Sequence, residues 1–212
     1  MTPEPTCIMK CTPDSNLKPT NISYEMIQPQ VTGKWNKSIV TYALVKGSQD
    51  IPDQHEINIA MRATMQTWQD EIPLNFVQVK KDQNPDITFE WVDGNTDPVI
   101  NGNTGIMGYC NFPDGNNSPC HVHLNDSLNW SFSGTNFQWN PLNTFQHESG
   151  HGLGLAHDPN PNAIMYYMYN GKIMLDPTDK AAIKNLYGSR TWSIGAYLRI
   201  TTAIFNLKKR LK

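Results

Sequence analysis

Apolar residues along the chain recur with two different periods. Ser38-Ile39-Val40-Thr41-Tyr42-Ala43-Leu44 is a run of β-branched and aromatic residues that reads as a first strand. Ile51-Pro52-Asp53 then signals a helix start, and Ile57, Ala60, Met61, Thr64, Met65 and Trp68 follow at helical spacing. Residues 74–79 and 87–92 alternate apolar with polar, as strands with one buried face do. From Asp93 to Pro119 the chain is rich in Gly, Asn and Pro, with a short apolar interruption at Ile106-Met107. His121-Val122-His123-Leu124 is another short strand, and a second helix is expected to include Asn143 to Leu153. Asp176-Pro177-Thr178-Asp179 opens a third: Asp176 can cap, Pro177 suits the first turn and Asp179 answers the helix dipole. Gly188 stops it. The order strand, helix, strands, helix, helix predicts an α/β (α+β) fold without repeats.

Composition adds boundaries to this picture. With 212 residues, 38% of them hydrophobic and 17% charged, the chain suits one compact domain plus extensions. Residues 1–33 hold five prolines and little periodicity, and read as an extended leader. No stretch approaches the roughly 18 uncharged apolar residues needed to cross a bilayer, and the first residues do not read as a signal peptide. Net charge is −2, which gives no reason to expect nucleic acid as a partner. The charge is uneven, however. Residues 1–188 carry 11 basic and 19 acidic side chains, whereas 189–212 carry six basic and no acidic ones. In that tail Tyr197, Ile200, Ile204, Leu207 and Leu211 fall at alternating spacings of three and four. A basic amphipathic helix over 189–212 is expected, suited to an anionic membrane surface, to a partner, or to packing on the acidic body.

Four cysteines form two local pairs. Cys110 and Cys120 flank nine residues rich in turn formers, a loop that a disulfide closes easily; two buried thiols are the alternative. A bridge would imply an extracellular or other oxidising compartment.

The chemistry concentrates in His147-Glu148-Ser149-Gly150-His151-Gly152-Leu153-Gly154-Leu155-Ala156-His157. On a helix, His147 and His151 share one face, so both imidazoles can reach one ion. Glu148 lies about 100° around the axis, where it can reach a water beside the ion without binding the ion itself. Gly154 permits the left-handed stop that lets the chain swing back and deliver His157 as a third ligand. Three histidines and one open position make a catalytic zinc site, since structural sites close with four protein ligands.

This segment resembles the metzincin metallopeptidases, and the matrixins most of all. Met165, eight residues past His157 in Ala163-Ile164-Met165-Tyr166, is similar to the Met-turn that floors the zinc site in that clan. Lys34-Trp35-Asn36-Lys37, Pro73-Leu74-Asn75-Phe76 and Ala181–Gly188 extend the likeness over residues 34–188. The resemblance implies a catalytic domain with a twisted mixed sheet, an active-site helix, a Met-turn and a C-terminal helix. It implies zinc-dependent endopeptidase activity on extended protein segments, with Glu148 as general base and acid. A low-turnover binding module on the same scaffold is the alternative, which intact Glu148 argues against. Ile106, Met107, Gly108 and Tyr109 are placed like the family's substrate-pairing edge strand, and residues 166–172, with Tyr167 and Tyr169, like the wall of the pocket beyond the cut.

Two departures stand out. The family's structural zinc positions read Asn95, Asp97, Tyr109 and His123 here, and its calcium positions Asn101, Asn125 and Leu128. Two of the former are poor zinc ligands and none of the latter is a carboxylate, so structural zinc and calcium are expected to be absent. A Cys110–Cys120 bridge is expected to stiffen the loop instead, with a residual His121/His123 site as the alternative. Lys10-Cys11-Thr12-Pro13-Asp14 is similar to the family's inhibitory cysteine segment with one residue missing, which makes Cys11 a candidate switch; a Cys7–Cys11 bridge or plain thiols are the alternatives.

Overall fold

The computed structural model describes residues 33–133 and 138–191 in full, together with the backbone of residues 6–10. The expected helix over 189–212 therefore lies almost wholly outside the described residues. A six-stranded mixed sheet runs in the order β1-β5-β6-β4-β2-β3. Its strands are β1 (Thr6–Lys10), β2 (Ile39–Lys46), β3 (Asn75–Gln78), β4 (Ile87–Val92), β5 (Ile106–Asn111) and β6 (Cys120–Asn125). β2, β3, β4 and β6 are mutually parallel, whereas β5 is antiparallel to β6 and β1 antiparallel to β5. Helices α1 (Gln54–Gln69) and α2 (Pro141–Gly152) pack on the sheet and on each other, and α3 (Pro177–Tyr187) follows the long loop after α2.

The periods explain the layers. β4 buries Ile87, Phe89 and Trp91 in alternation, and α1 buries the helical stripe from Ile57 to Trp68. Between them Phe145 of α2 meets Phe89 and Trp91 edge-on, with ring centroids 5.4 and 5.2 Å away. Such contacts add to plain area burial. The caps fall where the side chains allow: Asp53 accepts from His55 N, Asn140 from Leu142 N just before Pro141, and Asp176 from Thr178 N. The C-terminal end of α2 is anchored from outside, because Trp35 Nε1 donates to Gly152 O and Tyr187 Oη to Leu153 O. Those carbonyls would otherwise lack intrahelical partners.

The expected Cys110–Cys120 bridge does not form; both residues are buried thiols. Register is the cause. β5 and β6 pair Cys110 with Val122, two residues from Cys120, and antiparallel neighbours offset by two stand about 7–8 Å apart, beyond disulfide reach. Both residues pack instead against Gly152, where a Cβ would sit 3.3 Å from Cys110 Sγ and 3.7 Å from Cys120 Cβ. The argument for an oxidising compartment that rested on this bridge goes with it. The short apolar piece at Ile106-Met107 is a full strand, and the leader contributes β1, which local pattern did not reveal.

Candidate active site

α2 delivers His147, Glu148 and His151 in its last two turns, all fully buried. The helix then stops at Gly154, whose φ of 98° is left-handed. A Cβ there would also stand 2.8 Å from Gly33 O and 3.0 Å from Leu186 Cδ2, so both conformation and space demand glycine. Past this turn the chain doubles back and brings in His157, whose ring centroid lies 5.2 Å from that of His147 and 4.9 Å from that of His151. One nitrogen from each of the three lies within 4.8 Å of the others.

Hydrogen bonds fix the tautomers. His147 Nδ1 lies 2.7 Å from Ile164 O, and His151 Nδ1 lies 2.7 Å from Leu155 O. A carbonyl can only accept, so both Nδ1 atoms carry hydrogen and both Nε2 atoms present lone pairs. These two lone-pair nitrogens are 3.0 Å apart. Burial depresses both imidazoles, His147 to about 3 and His151 well below the ordinary value, with the neighbouring histidines adding to the effect. No proton is available to bridge them, so the pair repels unless a cation lies between. Nitrogens held by one tetrahedral zinc stand about 3.3 Å apart. Neutral, converging imidazoles at this spacing fit zinc.

The Met-turn lies directly below. Met165 is buried, and a Cβ built on Gly150 would overlap its Sδ and stand 3.1 Å from its Cε. The turn is held by Asp179, whose buried carboxylate accepts from Ile164 N at 2.8 Å, Met165 N at 3.1 Å and Asp176 N at 2.8 Å. Sequence reasoning assigned Asp179 only to the helix dipole. Its reach to residues 14 and 15 positions back has no local signal.

A family comparison now decides the lineage: the matrixin model matches residues 34–188. The chain belongs to the matrixin family. It is 34% identical over 160 residues to karilysin of Tannerella forsythia, covering 73% of this chain and 33% of that protein. Matrix metalloproteinase-20 of Homo sapiens is 30% identical over 167 residues, covering 76% of this chain and 34% of that protein. Matrix metalloproteinase-26 of Homo sapiens is 31% identical over 163 residues, covering 74% and 60%. The matrixin chain thus spans about a third of the length of the first two relatives.

Other predicted positions divide. Gly108 of β5 sits against α2, and a Cβ there would stand 3.1 Å from Thr144 Cγ2 and 3.4 Å from Glu148 Cγ. Tyr109 turns its side chain away into the 93–105 loop: its hydroxyl donates to Asp97 Oδ2 at 2.8 Å and contacts His123 Nδ1. Burial, with the Asp97 carboxylate, pushes the Tyr109 phenol far up. Asp97 also accepts from Val99 N and Ile100 N, while Asn95 binds Asp93 and the exposed His121 meets Thr88 Oγ1. Among the described residues, only His147, His151 and His157 form a three-ligand cluster. Tyr167 lies beside His157 with ring centroids 6.3 Å apart, and Tyr169 packs edge-on to Trp139 at 4.9 Å. Two residues that the sequence reading passed over hold the segment after Tyr169 to α2: Asn143 Nδ2 donates to Lys172 O at 2.5 Å and Gln146 Nε2 to Ile173 O at 2.8 Å. Their only signal was polarity on the buried side of a helix.

Proposed function

We propose that this matrixin chain is a zinc-dependent endopeptidase acting on extended protein segments. The observation that supports it most directly is the pair of lone-pair nitrogens, His147 Nε2 and His151 Nε2, held 3.0 Å apart beside buried Glu148. His147, His151 and His157 hold the ion in this reading. When bound, zinc polarises the scissile carbonyl and makes the attacking water more acidic. Glu148 takes the proton from that water and passes it to the leaving amine. Its burial suits this role, because a carboxylate withdrawn from bulk water exchanges protons with groups inside the cleft. The substrate adds as a strand along β5, with its peptide groups on residues 106–109. Residues 166–172, with Tyr167 next to His157 and Tyr169 behind, wall the pocket for the side chain following the cut.

The leader has a place in the same reading. β1 runs antiparallel along β5 and sets Met9 opposite Gly108, the residue that rests on Glu148. It therefore covers the edge a substrate needs, and the chain is latent until the leader is displaced. Cys11 directly follows the strand and lies outside the described residues; its thiolate is the candidate inhibitory ligand.

Cleavage profiling on a peptide library tests the catalytic reading. The zinc-loaded protein freed of its leader should cut, and Glu148→Ala should lose about 10²-fold or more of that activity. Equal cleavage by both proteins would defeat the assignment.

A further inference from the structure

At the β3 edge of the sheet, opposite β1, a groove of about 530 Å³ separates α1 from β3. Its floor is apolar, made by buried Met65 and Tyr42 with half-buried Phe76, and Ala63 and Val77 line its sides. Val77 is 44% exposed, and Ile59, one turn before Ala63 on α1, is 51% exposed. Nothing in the proposed chemistry uses this face.

The chain itself arrives at one end of the groove. Arg190 N donates to Glu71 O, and its guanidinium donates to the carbonyls of Gln69, Ile72 and Leu74. These contacts pin the start of the tail where α1 gives way to β3, beside Gln69 and Phe76 of the groove lining. The other end is marked by Gln78 Nε2 donating to Asn58 Oδ1. Between Asn58 and Gln69 α1 rises about 17 Å, and the apolar stripe from Tyr197 to Leu211 spans about 21 Å as a helix.

We propose that residues 197–211 fold as an amphipathic helix into this groove, antiparallel to α1, and cover it in the native protein. Residues 191–196 make the turn back from Arg190. Tyr197, Ile200, Ile204 and Leu207 then face Phe76, Met65 and Ala63. Charge fits this direction. From Ile200 to Leu207 the tail carries no charge where it passes Arg62. The cluster Lys208-Lys209-Arg210-Lys212 reaches the first turn of α1, where Asp53 and Glu56 are exposed. The reverse direction is closed to it, because Arg190 is fixed at the Gln69 end.

Hydrogen exchange on the full chain tests the proposal independently of catalysis. Amides of residues 200–207 should be protected in wild type, and Ala63→Glu should speed their exchange by about tenfold or more. Ala63 is an exposed helix position, so this variant keeps the fold, and Ile204→Glu should give the same loss from the tail side. Both variants should leave the exchange of β4 unchanged. Unprotected tail amides in wild type, or protection indifferent to Ala63→Glu, would overturn the proposal. So would wild-type chain that pellets with phosphatidylserine vesicles while its tail is unprotected in solution, which would assign the stripe to a lipid surface.

Discussion

Gly150 is the residue on which α2, the turn at Met165 and the converging histidines press together. An added methyl there would overlap Met165 Sδ and come within 3.2 Å of Trp68 Cζ2, in a region with no exposure to solvent. Propensity alone favours Ala over Gly inside a helix by about 0.5–1 kcal/mol. Overpacking costs about 1–3 kcal/mol, so mid-range values leave Gly150→Ala destabilised by about 1 kcal/mol, with the balance decided by how far Met165 can move. In a domain of this size that is a fall in Tm of about 2–4 °C per kcal/mol. Met165→Ala should cost about 2–5 kcal/mol through the cavity it leaves. The double variant is the informative one. The methyl added at position 150 then occupies vacated space, so the double change should cost less than the sum of the singles by about 1–2 kcal/mol, with the tight Trp68 contact limiting the rescue. Urea unfolding at fixed zinc concentration measures this, since bound metal contributes to apparent stability. Gly150→Ala should also weaken zinc binding by about tenfold or more, because displacing Met165 drags the Ile164 carbonyl that orients His147. Gly150→Ala at wild-type stability, or singles that add to within about 0.5 kcal/mol, would refute the packing argument.

Three further outcomes follow from other contacts. If β1 blocks the cleft, removing residues 1–32, which leaves Gly33 in place against Gly115 and Gly154, should raise peptide cleavage; in the full chain Cys11→Ser should raise it only if the thiol carries the inhibition, and equal rates for all three proteins would eliminate the leader as a latency device. Asp86 accepts from Thr41 N at 2.7 Å and from Lys37; burial alone would raise its carboxyl, but the Lys37 and Thr41 donors outweigh it and hold it below the usual range. A carboxyl lowered in the folded state stabilises above the unfolded pKa and loses that contribution as pH falls through the folded one, so the stability gap between wild type and Asp86→Asn should be full at pH 7 and close below about pH 4 in pH-dependent unfolding; a constant gap would count against the ion pair. With Asp97 committed to Val99 N, Ile100 N and Tyr109, metal analysis of extensively dialysed protein should find one zinc and no calcium per chain, and a second retained ion would show that the Asp97–Tyr109–His123 contact yields to metal.

How much of this was legible in the sequence depended on how local each cause is. The starts of α1 and α3, the inward alternation of β4 and the histidine spacing are set within a few residues, and pattern alone placed them. Asp179 was visible as an answer to the helix dipole but not as the clamp of the Met-turn, because its partners lie a loop away. Tyr109 occupies β5, and alternation cannot say that its ring leaves the cleft for Asp97. The cysteines were the plainest failure: loop closure made a bridge reasonable, yet register between β5 and β6, a tertiary quantity, set Cys110 opposite Val122. β1 was invisible for the same reason, since a five-residue strand owes its pairing to the edge it finds.

The site also shows why its parts resist separate change. Ile164 O orients His147, and the next residue, Met165, packs under Gly150 on the same helix as that histidine. Asp179 holds the backbone of both residues, and Asp158, next to the third ligand, donates its N–H to Met165 O at 2.8 Å. His147 and His151 are thus each aimed by a backbone carbonyl of the chain that follows their helix. Movement of the Met-turn must turn at least one ligand, and the imidazole repulsion within the cluster then falls less effectively on a single ion. Preorganisation here is carried by backbone carbonyls and one buried carboxylate, so substitutions beneath the histidine cluster should reduce zinc affinity before they alter the proton transfers proposed for Glu148.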